Sequence, residues 1–350
     1  MSWRVLIQWM LCGLFGLSAV FLFAWELNAQ DDRGRVYGQD RFLKQGYFRL
    51  TIDIEDRRSE ELKATLVTKK PRRPGPQAVL YLHGYLDYFF QHELGDAFVY
   101  ENWSFYALDL RRHGRSWHED QILSYSRNFT EFFEEIDRAI KIIKDEGHET
   151  IVFLGHSTGG LIAAHYIMER GEDSDIDLLV LNSPFLKFNF GEKDRSFSLF
   201  SAAAIGTVLP KVRLGPEPMT NYGKSIHKSH HGEWNFDTIF KPIQAPKARA
   251  GWIKATRRAQ RKVNRGNIDI PILVLHSCNS VNSEEWTEDF LTGDGVLNVD
   301  HIRELGKDLG PDVDLLEIPK ALHDVFLSAR PVRREAFKLM FEWIKSHDNP

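Results

Sequence analysis

Short apolar runs, punctuated by glycine, aspartate and charged clusters, recur along this chain, and most are followed by a longer amphipathic stretch. Residues 78–82 (AVLYL), 103–108 (WSFYAL), 151–154 (IVFL), 178–181 (LLVL) and 271–275 (PILVL) are apolar throughout but for Ser104. Their shortness and lack of alternation predict strands buried on both faces of a parallel sheet. Residues 47–54 (YFRLTIDI) alternate instead, and 62–68 (LKATLVT) also have strand character, which predicts an antiparallel pair at one sheet edge. Residues 313–318 supply a last strand. Between the strands, residues 129–143 set Phe132, Phe133, Ile136, Ala139, Ile140 and Ile143 on one helical face. Helical patterns also begin at Leu161 and cover 252–263, 299–309 and 333–344. Strands alternating with helices predict an α/β fold, with a mostly parallel central sheet and helices on both faces.

Two stretches break this rhythm. Residues 187–251 are rich in aromatic and apolar positions, among them Phe188, Phe190, Phe197, Leu199 and Phe200, without a strand–helix repeat. An insertion of this length at the C-terminal edge of a parallel sheet is expected to cap a site. The other stretch is 5–25, which carries no charged residue. As a helix it would span roughly 32 Å at ~1.5 Å per residue, matching a hydrocarbon core of ~30 Å. It reads either as an uncleaved single-pass membrane anchor or as a signal peptide ending near Ala29, although Leu27 is large for the position before a cleavage site. Arg4 before it and the balanced charges after it place the bulk of the chain outside the cytoplasm. The expected organisation is an N-terminal segment over 1–29, a polar linker over 30–46, and one domain over 47–350 with the cap inserted at about 187–251.

Composition narrows the chemistry. With 45 basic and 49 acidic side chains the formal net charge is −4, so no basic excess points to nucleic acid. Cys12 and Cys278 are the only cysteines, which excludes a disulfide framework and a cysteine-built metal site. No Gly-rich phosphate loop or dinucleotide fingerprint is present, and the three histidines His227, His230 and His231 have no accompanying carboxylate cluster. Neither a cofactor nor a metal is expected.

The strongest chemical signal is Gly155-His156-Ser157-Thr158-Gly159, set between the strand at 151–154 and the helix from Leu161. Strand, G-x-S-x-G, helix is the context of a nucleophile elbow, in which the serine sits on a strained turn and side chains at 155 and 159 would collide with neighbouring elements. Acyl transfer needs in addition a base for the serine proton, an acid to hold that base, and donors for the oxyanion. His323 follows the last strand directly, in IPKALHD, where a loop can hang over the elbow from the same sheet edge.

GHSTGG, the His83-Gly84 pair after 78–82, DLRRHGRS from Asp109, and LHDVFLS from Leu322 together resemble the α/β-hydrolase superfamily. The chain is similar within it to the subset of monoacylglycerol lipases, lysophospholipases and serine aminopeptidases, over roughly residues 47–345. The resemblance implies an α/β-hydrolase fold, with Ser157 as nucleophile and His323 as base. It also implies an aspartate soon after the strand ending at His276, but there Ser280 stands in its place. The pattern is restored at Gly293-Asp294-Gly295-Val296 after an insertion holding Glu284, Glu285, Glu288 and Asp289, so Asp294 is the expected acid and Asp289 the reserve. Asp324 adjoins the histidine and is expected to be structural. The oxyanion donors implied are the backbone N–H groups of Tyr85 and Thr158. His83, His156, Asp109, Arg111 and His113 are expected to shape the loops around the elbow. The implied activity is hydrolysis of carboxylic esters of acyl lipids, of monoacylglycerol or lysophospholipid type. Two alternatives stay open. One is a peptidase or amidase on the same triad, using Glu192, Glu217 or Glu233 to receive a free amino terminus. The other is a non-catalytic binding protein that kept the fold.

Overall fold

The computed structural model describes residues 28–30, 34–43, 46–55, 61–189, 204–214 and 220–348. The chain divides into two compact units, Met1–Leu50 and Thr51–Pro350. Within the first unit β1 (Asn28–Gln30) pairs antiparallel with β2 (Val36–Gln39), Ala29 facing Tyr37. The start of β3 (Phe48–Ile54) pairs with β2, Gly38 facing Arg49. Asp40 closes the turn between them: its Oδ1 accepts the N–H groups of Phe42 (2.9 Å) and Leu43 (2.7 Å), and its own N–H donates to the Tyr47 carbonyl (2.9 Å). The stretch expected as a linker therefore contains paired backbone. Its strands are three and four residues long, too short for a period-two pattern to register. The apolar run at 5–25 lies outside the described residues, and among those described no helix is long and apolar enough to cross a membrane.

In the second unit the sheet runs in the order β3, β4 (Leu62–Lys69), β6 (Ser104–Asp109), β5 (Gln77–Leu82), β7 (Thr150–His156), β8 (Leu178–Asn182), β9 (Ile272–Ser277) and β10 (Val313–Ile318). β4 is antiparallel to β6, and every pairing from β6 through β10 is parallel. The strands read from continuous apolar runs are the buried ones: every residue of β6, β8 and β9 is buried, as are all but the first of β5 and β7. A residue in such a strand has its side chain covered on whichever face it points to, which is why Val, Ile, Leu and Phe fill both parities.

Among the described residues, the helices bounded at both ends are α1 (His92–Tyr100), α2 (Phe133–Asp145), α3 (Thr158–Arg170), α4 (Asn221–Ile226), α5 (Ala250–Val263), α6 (Val299–Gly306) and α7 (Arg330–His347), and residues 204–208 are helical as well. The expected helix at 129–143 opens as a 3₁₀ turn, Phe129–Phe132, before α2. α1 has no counterpart in the sequence pattern: it buries only Leu94, Gly95 and Phe98, a stripe too thin to separate from loop. α4 and the start of α5 belong to the insertion between β8 and β9. Because the strands from β5 to β10 are parallel, their C-terminal ends share one edge, and the turns leaving β5, β7 and β10 carry His83-Gly84, Ser157 and His323 to that edge.

Candidate active site

Ser157 lies between the end of β7 and the first turn of α3 with φ 54° and ψ −116°, a backbone conformation that side chains rarely adopt. Neighbouring backbone enforces it. The Ser157 N–H donates to the Asn182 carbonyl (2.9 Å), and its carbonyl accepts the N–H groups of Phe185 (3.0 Å) and Leu161 (3.1 Å). The flanking glycines are required by space. A Cβ on Gly155 would lie 2.6 Å from Gly160 Cα, and one on Gly159 would lie 2.3 Å from the His83 carbonyl oxygen. The neighbouring elements that such side chains would strike are thus α3 for Gly155 and the end of β5 for Gly159.

His323 Nε2 is 3.0 Å from Ser157 Oγ, and His323 Nδ1 is 2.8 Å from Asp294 Oδ2. Asp294 is fully buried. Its other oxygen accepts the backbone N–H groups of Val296 and Leu297, each at 2.8 Å, which turns Oδ2 toward the imidazole. A buried carboxylate can only accept, so the network assigns the imidazole a proton on Nδ1 and leaves Nε2 to accept from the serine hydroxyl. Ser157, His323 and Asp294, drawn from three distant parts of the chain, stand in one hydrogen-bonded row. Asp289 is exposed, lies on the 3₁₀ turn Glu288–Leu291, and faces the Thr287 hydroxyl (3.3 Å).

The displaced acid has a simple geometric account. Asp294 forms an isolated parallel bridge with Ser280; its N–H donates to the Asn279 carbonyl (2.8 Å), and its carbonyl accepts from Val281 (2.7 Å). The chain leaves after Ser280, makes an excursion over 281–293, and returns to the same point beyond β9. Ser280 itself serves the next element, its hydroxyl accepting the Val299 N–H (2.8 Å) at the start of α6.

The loop leaving β5 passes close over the elbow: a Cβ on Gly84 would sit 3.3 Å from Ser157 Cβ. His83 fixes that turn, bonding the Gly84 carbonyl through Nδ1 (2.8 Å) and accepting the Leu110 N–H at Nε2 (3.1 Å). The Tyr85 ring rests on Trp252 of α5, centroids 4.0 Å apart. Asp109 and Arg115 form a fully buried pair (2.8 Å), and Asp109 also accepts the N–H groups of Phe89 (2.9 Å) and Arg115 (3.1 Å), tying the loops after β5 and β6 together. Arg111 donates through Nε to Glu135 (2.7 Å) and also meets Glu134. Burial pushes the Glu135 carboxyl up to about 7 against the pull of Arg111. Burial likewise pulls the His156 imidazole down to about 4; the ring lies 4.9 Å from that of His323. Asp324 accepts from Gln91 (2.9 Å), Asn182 (2.7 Å) and the Phe326 N–H (3.0 Å), and takes no part in the row.

A cavity of about 520 Å³ opens over Ser157. Phe185, Phe236, Ile243, Trp252, Ile253 and Leu297 give it apolar walls, several of them from the insertion expected as the cap. The wall also carries charge, at the exposed Glu284 and at a nearly buried ion pair. Lys241, from the cap, pairs with Asp87, from the loop after β5, at 2.8 Å, both nearly buried, with the ammonium also over the Phe90 and Tyr222 rings. Burial works to raise the Asp87 carboxyl, but Lys241, with His156 and His83 nearby, holds it below the usual carboxylate range. Asp87 Oδ2 is buried without a hydrogen-bond partner. Sequence reasoning missed this pair: Asp87 follows His83-Gly84 closely enough to be suspected, whereas nothing marks Lys241, 154 residues on. It missed Tyr222 too, whose ring meets His323 edge-on at 5.4 Å. Of the three glutamates considered as amine receivers, Glu233 is engaged by Arg333 (2.6 Å), and Glu192 and Glu217 lie outside the described residues.

The model of the serine aminopeptidase family S33 matches residues 74–327, which include the elbow, the loop after β5, the cap and the histidine loop. The chain belongs to this family of α/β-hydrolases. Among solved structures, this hydrolase is similar to a soluble variant of the monoglyceride lipase of Saccharomyces cerevisiae in complex with a substrate analogue, with 17% identity and a TM-score of 0.63, covering 89% of this chain and 98% of that one. It is also similar to the monoacylglycerol lipase of Paleococcus ferrophilus, with 21% identity and a TM-score of 0.60, covering 83% and 100%. A third likeness is to α/β hydrolase domain-containing protein 10 from mouse, with 13% identity and a TM-score of 0.52, covering 85% and 98%. At these identities the likeness is one of fold.

Proposed function

We propose that this hydrolase cleaves carboxylic esters of acyl lipids, of monoacylglycerol or lysophospholipid type, through an acyl-enzyme on Ser157. The observation that carries the reading is the row from Asp294 through His323 to Ser157 Oγ at the floor of a cavity with largely apolar walls. Ser157 Oγ attacks the ester carbonyl carbon while its proton passes to His323 Nε2. The oxyanion forms toward the N–H groups of Tyr85 and Thr158, one on the loop crossing the elbow and one opening α3, where the helix dipole favours negative charge. Collapse expels the alcohol, which takes the proton from Nε2. Water then attacks the acyl carbonyl, gives a proton to the same nitrogen, and releases the fatty acid with the serine hydroxyl restored. Asp294 holds the imidazole in the required tautomer and stabilises the imidazolium.

The cavity favours an acyl chain over a peptide. An aminopeptidase needs a net anionic group for the substrate ammonium. Of the two carboxylates in the wall, Asp87 already has the Lys241 ammonium on one oxygen, which repels a second cation, and Glu284 is solvent-exposed, where water screens its pull on an ammonium. The open Oδ2 of Asp87 suits instead a hydroxyl of a polyhydroxy leaving alcohol. The fold shared with two monoacylglycerol lipases agrees with this reading. The test is covalent labelling with a fluorophosphonate probe, followed by comparison of long-chain monoacyl esters with aminoacyl anilides. Labelling lost in Ser157→Ala, with turnover of the esters, is expected. Absence of labelling in the folded protein would favour a binding protein, and turnover of anilides alone would favour a peptidase.

A further inference from the structure

Nine large hydrophobic side chains are exposed among the described residues, and four of them, Ile205, Val208, Leu209 and Val212, fall within eight consecutive positions of the cap. Single exposed apolar residues are ordinary, but a cluster on a surface otherwise polar is not. This cluster is not a loose tail. The segment is laced to the start of α5: Ala250 N–H donates to the Val212 carbonyl (2.8 Å), Gly251 N–H to Pro210 (2.9 Å) and Leu214 N–H to Ala248 (2.8 Å). Lys254 Nζ reaches Thr207 Oγ1 (2.9 Å), and a Cβ on Gly206 would strike the Ala250 carbonyl at 2.4 Å. Val208, at 79% exposure, and Leu209, at 57%, are thus held outward by a fixed backbone.

The surroundings of the cluster are cationic. From residue 247 to residue 265 the sequence has eight lysines and arginines and no acidic residue, in a chain whose formal net charge is −4. Lys254, Arg257, Arg258, Arg261 and Lys262 occupy an arc of about 140° on α5 at ~100° per residue, while Trp252, Ile253, Ala255, Ala259 and Val263 are buried. Lys211 and Arg213 extend the charge along the apolar segment itself, both exposed. Glu169 meets Lys262 on the far side of this arc. The same layer walls the cavity from within, through Leu214, Ala248, Trp252 and Ile253.

Apolar side chains fixed outward beside a row of cations are the complement of a bilayer surface bearing anionic headgroups, where hydrocarbon lies beneath a sheet of negative charge. We propose that residues 204–214 and the solvent face of α5 form a docking surface for an anionic lipid membrane. Val208, Leu209 and Val212 enter the interfacial layer, and the α5 cations lie among the headgroups. This contact is separate from the apolar run at 5–25 and does not depend on the esterase reading.

The test is hydrogen–deuterium exchange on the full chain reconstituted with phosphatidylcholine vesicles, with and without phosphatidylserine. Slower exchange over 204–214 and 250–265 is expected only when phosphatidylserine is present, and high salt should remove it. The double substitution R258E/R261E and the single substitution L209D are each expected to abolish the protection. Both sites are on the solvent side, so fluorophosphonate labelling of Ser157 and the melting temperature should not change. Equal exchange in the two lipid compositions, or protection that survives R258E/R261E, would overturn the proposal. Protection that appears without vesicles as protein concentration rises would also overturn it and mark a contact between copies of the chain.

Discussion

At the scale of single residues, position in the row matters more than chemical type. Asp289 and Asp294 are both carboxylates in one excursion, yet only Asp294 is buried and held by two amides against His323. Asp294→Asn should therefore lower kcat by roughly 10⁴-fold, because the amide presents the wrong hydrogen-bonding partner to Nδ1. Asp289→Asn should leave kcat unchanged; the opposite ranking in steady-state assays would show that the acid had been misassigned. Acid stability is set by other residues. Burial lowers the imidazoles of His156 and His165 to about 4, and that of His113 falls as well. Between an unfolded-state value of ~6.5 and these folded values the unfolded chain binds more protons, so the stabilisation present above pH ~6.5 is lost as pH falls. Glu135, raised to about 7, has the opposite sign: the folded state binds the extra proton from ~4.5 up to 7, so its contribution declines as pH rises. His148 and His276 are lowered by burial as well, and with five histidines against the one carboxyl raised to about 7, melting temperature should drop from pH 7 to pH 5. Neither ring nitrogen of the buried His165 has a hydrogen bond, so His165→Leu should reduce that drop in a thermal melt. A drop as steep in the variant as in the parent would remove His165 as a cause.

At the scale of elements, what was legible in the sequence was whatever a two-sided burial rule writes into consecutive residues. β5 to β9 could be read from apolar runs, and the elbow from glycines whose Cβ atoms would strike the end of β5 or the start of α3. β2 and α1 could not, because a four-residue strand and a nine-residue helix with three buried positions leave no periodic signal. Asp294 was legible only by the return of a motif after thirteen intervening residues; the Ser280 bridge explains why the excursion is tolerated. Contacts between the cap and the sheet were not legible, since they join residues by shape rather than by spacing. The Lys241–Asp87 pair is the main case. Removing one partner of a buried ion pair strands the other charge, at a cost of about 3–5 kcal/mol. Lys241→Met should destabilise the fold by that order in urea unfolding, and adding Asp87→Asn should recover most of the loss. A double variant no more stable than Lys241→Met alone would mean that the cost lies in packing of the lysine stem over Phe90 and Tyr222 rather than in charge.

At the scale of the whole molecule, the open question of function is where the hydrolase meets its substrate. A chain ester of low water solubility resides in membranes, so an enzyme acting on it gains from being held at one. The uncharged run at 5–25 has the length of a bilayer span, whereas a cleaved leader would set a soluble enzyme free. The two outcomes differ in an observable way. If the run is a tether, the full chain stays with membranes through alkaline carbonate washing, and its N-terminal peptide is recovered intact. A chain beginning at Gln30 should then appear in the soluble fraction with unchanged turnover of a short, water-soluble ester, because the row of Ser157, His323 and Asp294 lies wholly within Thr51–Pro350. On a long-chain monoacyl ester presented in vesicles the shortened chain should be slower at low protein concentration, since it has lost the local concentration that a tether provides. Protease added to the outside of intact cells should digest the hydrolase unit, as expected for a domain beyond the cytoplasm. Recovery of a mature N-terminus near Gln30, with all activity released by carbonate, would instead make 1–29 a leader and leave the lipid surface to be found by the folded domain alone.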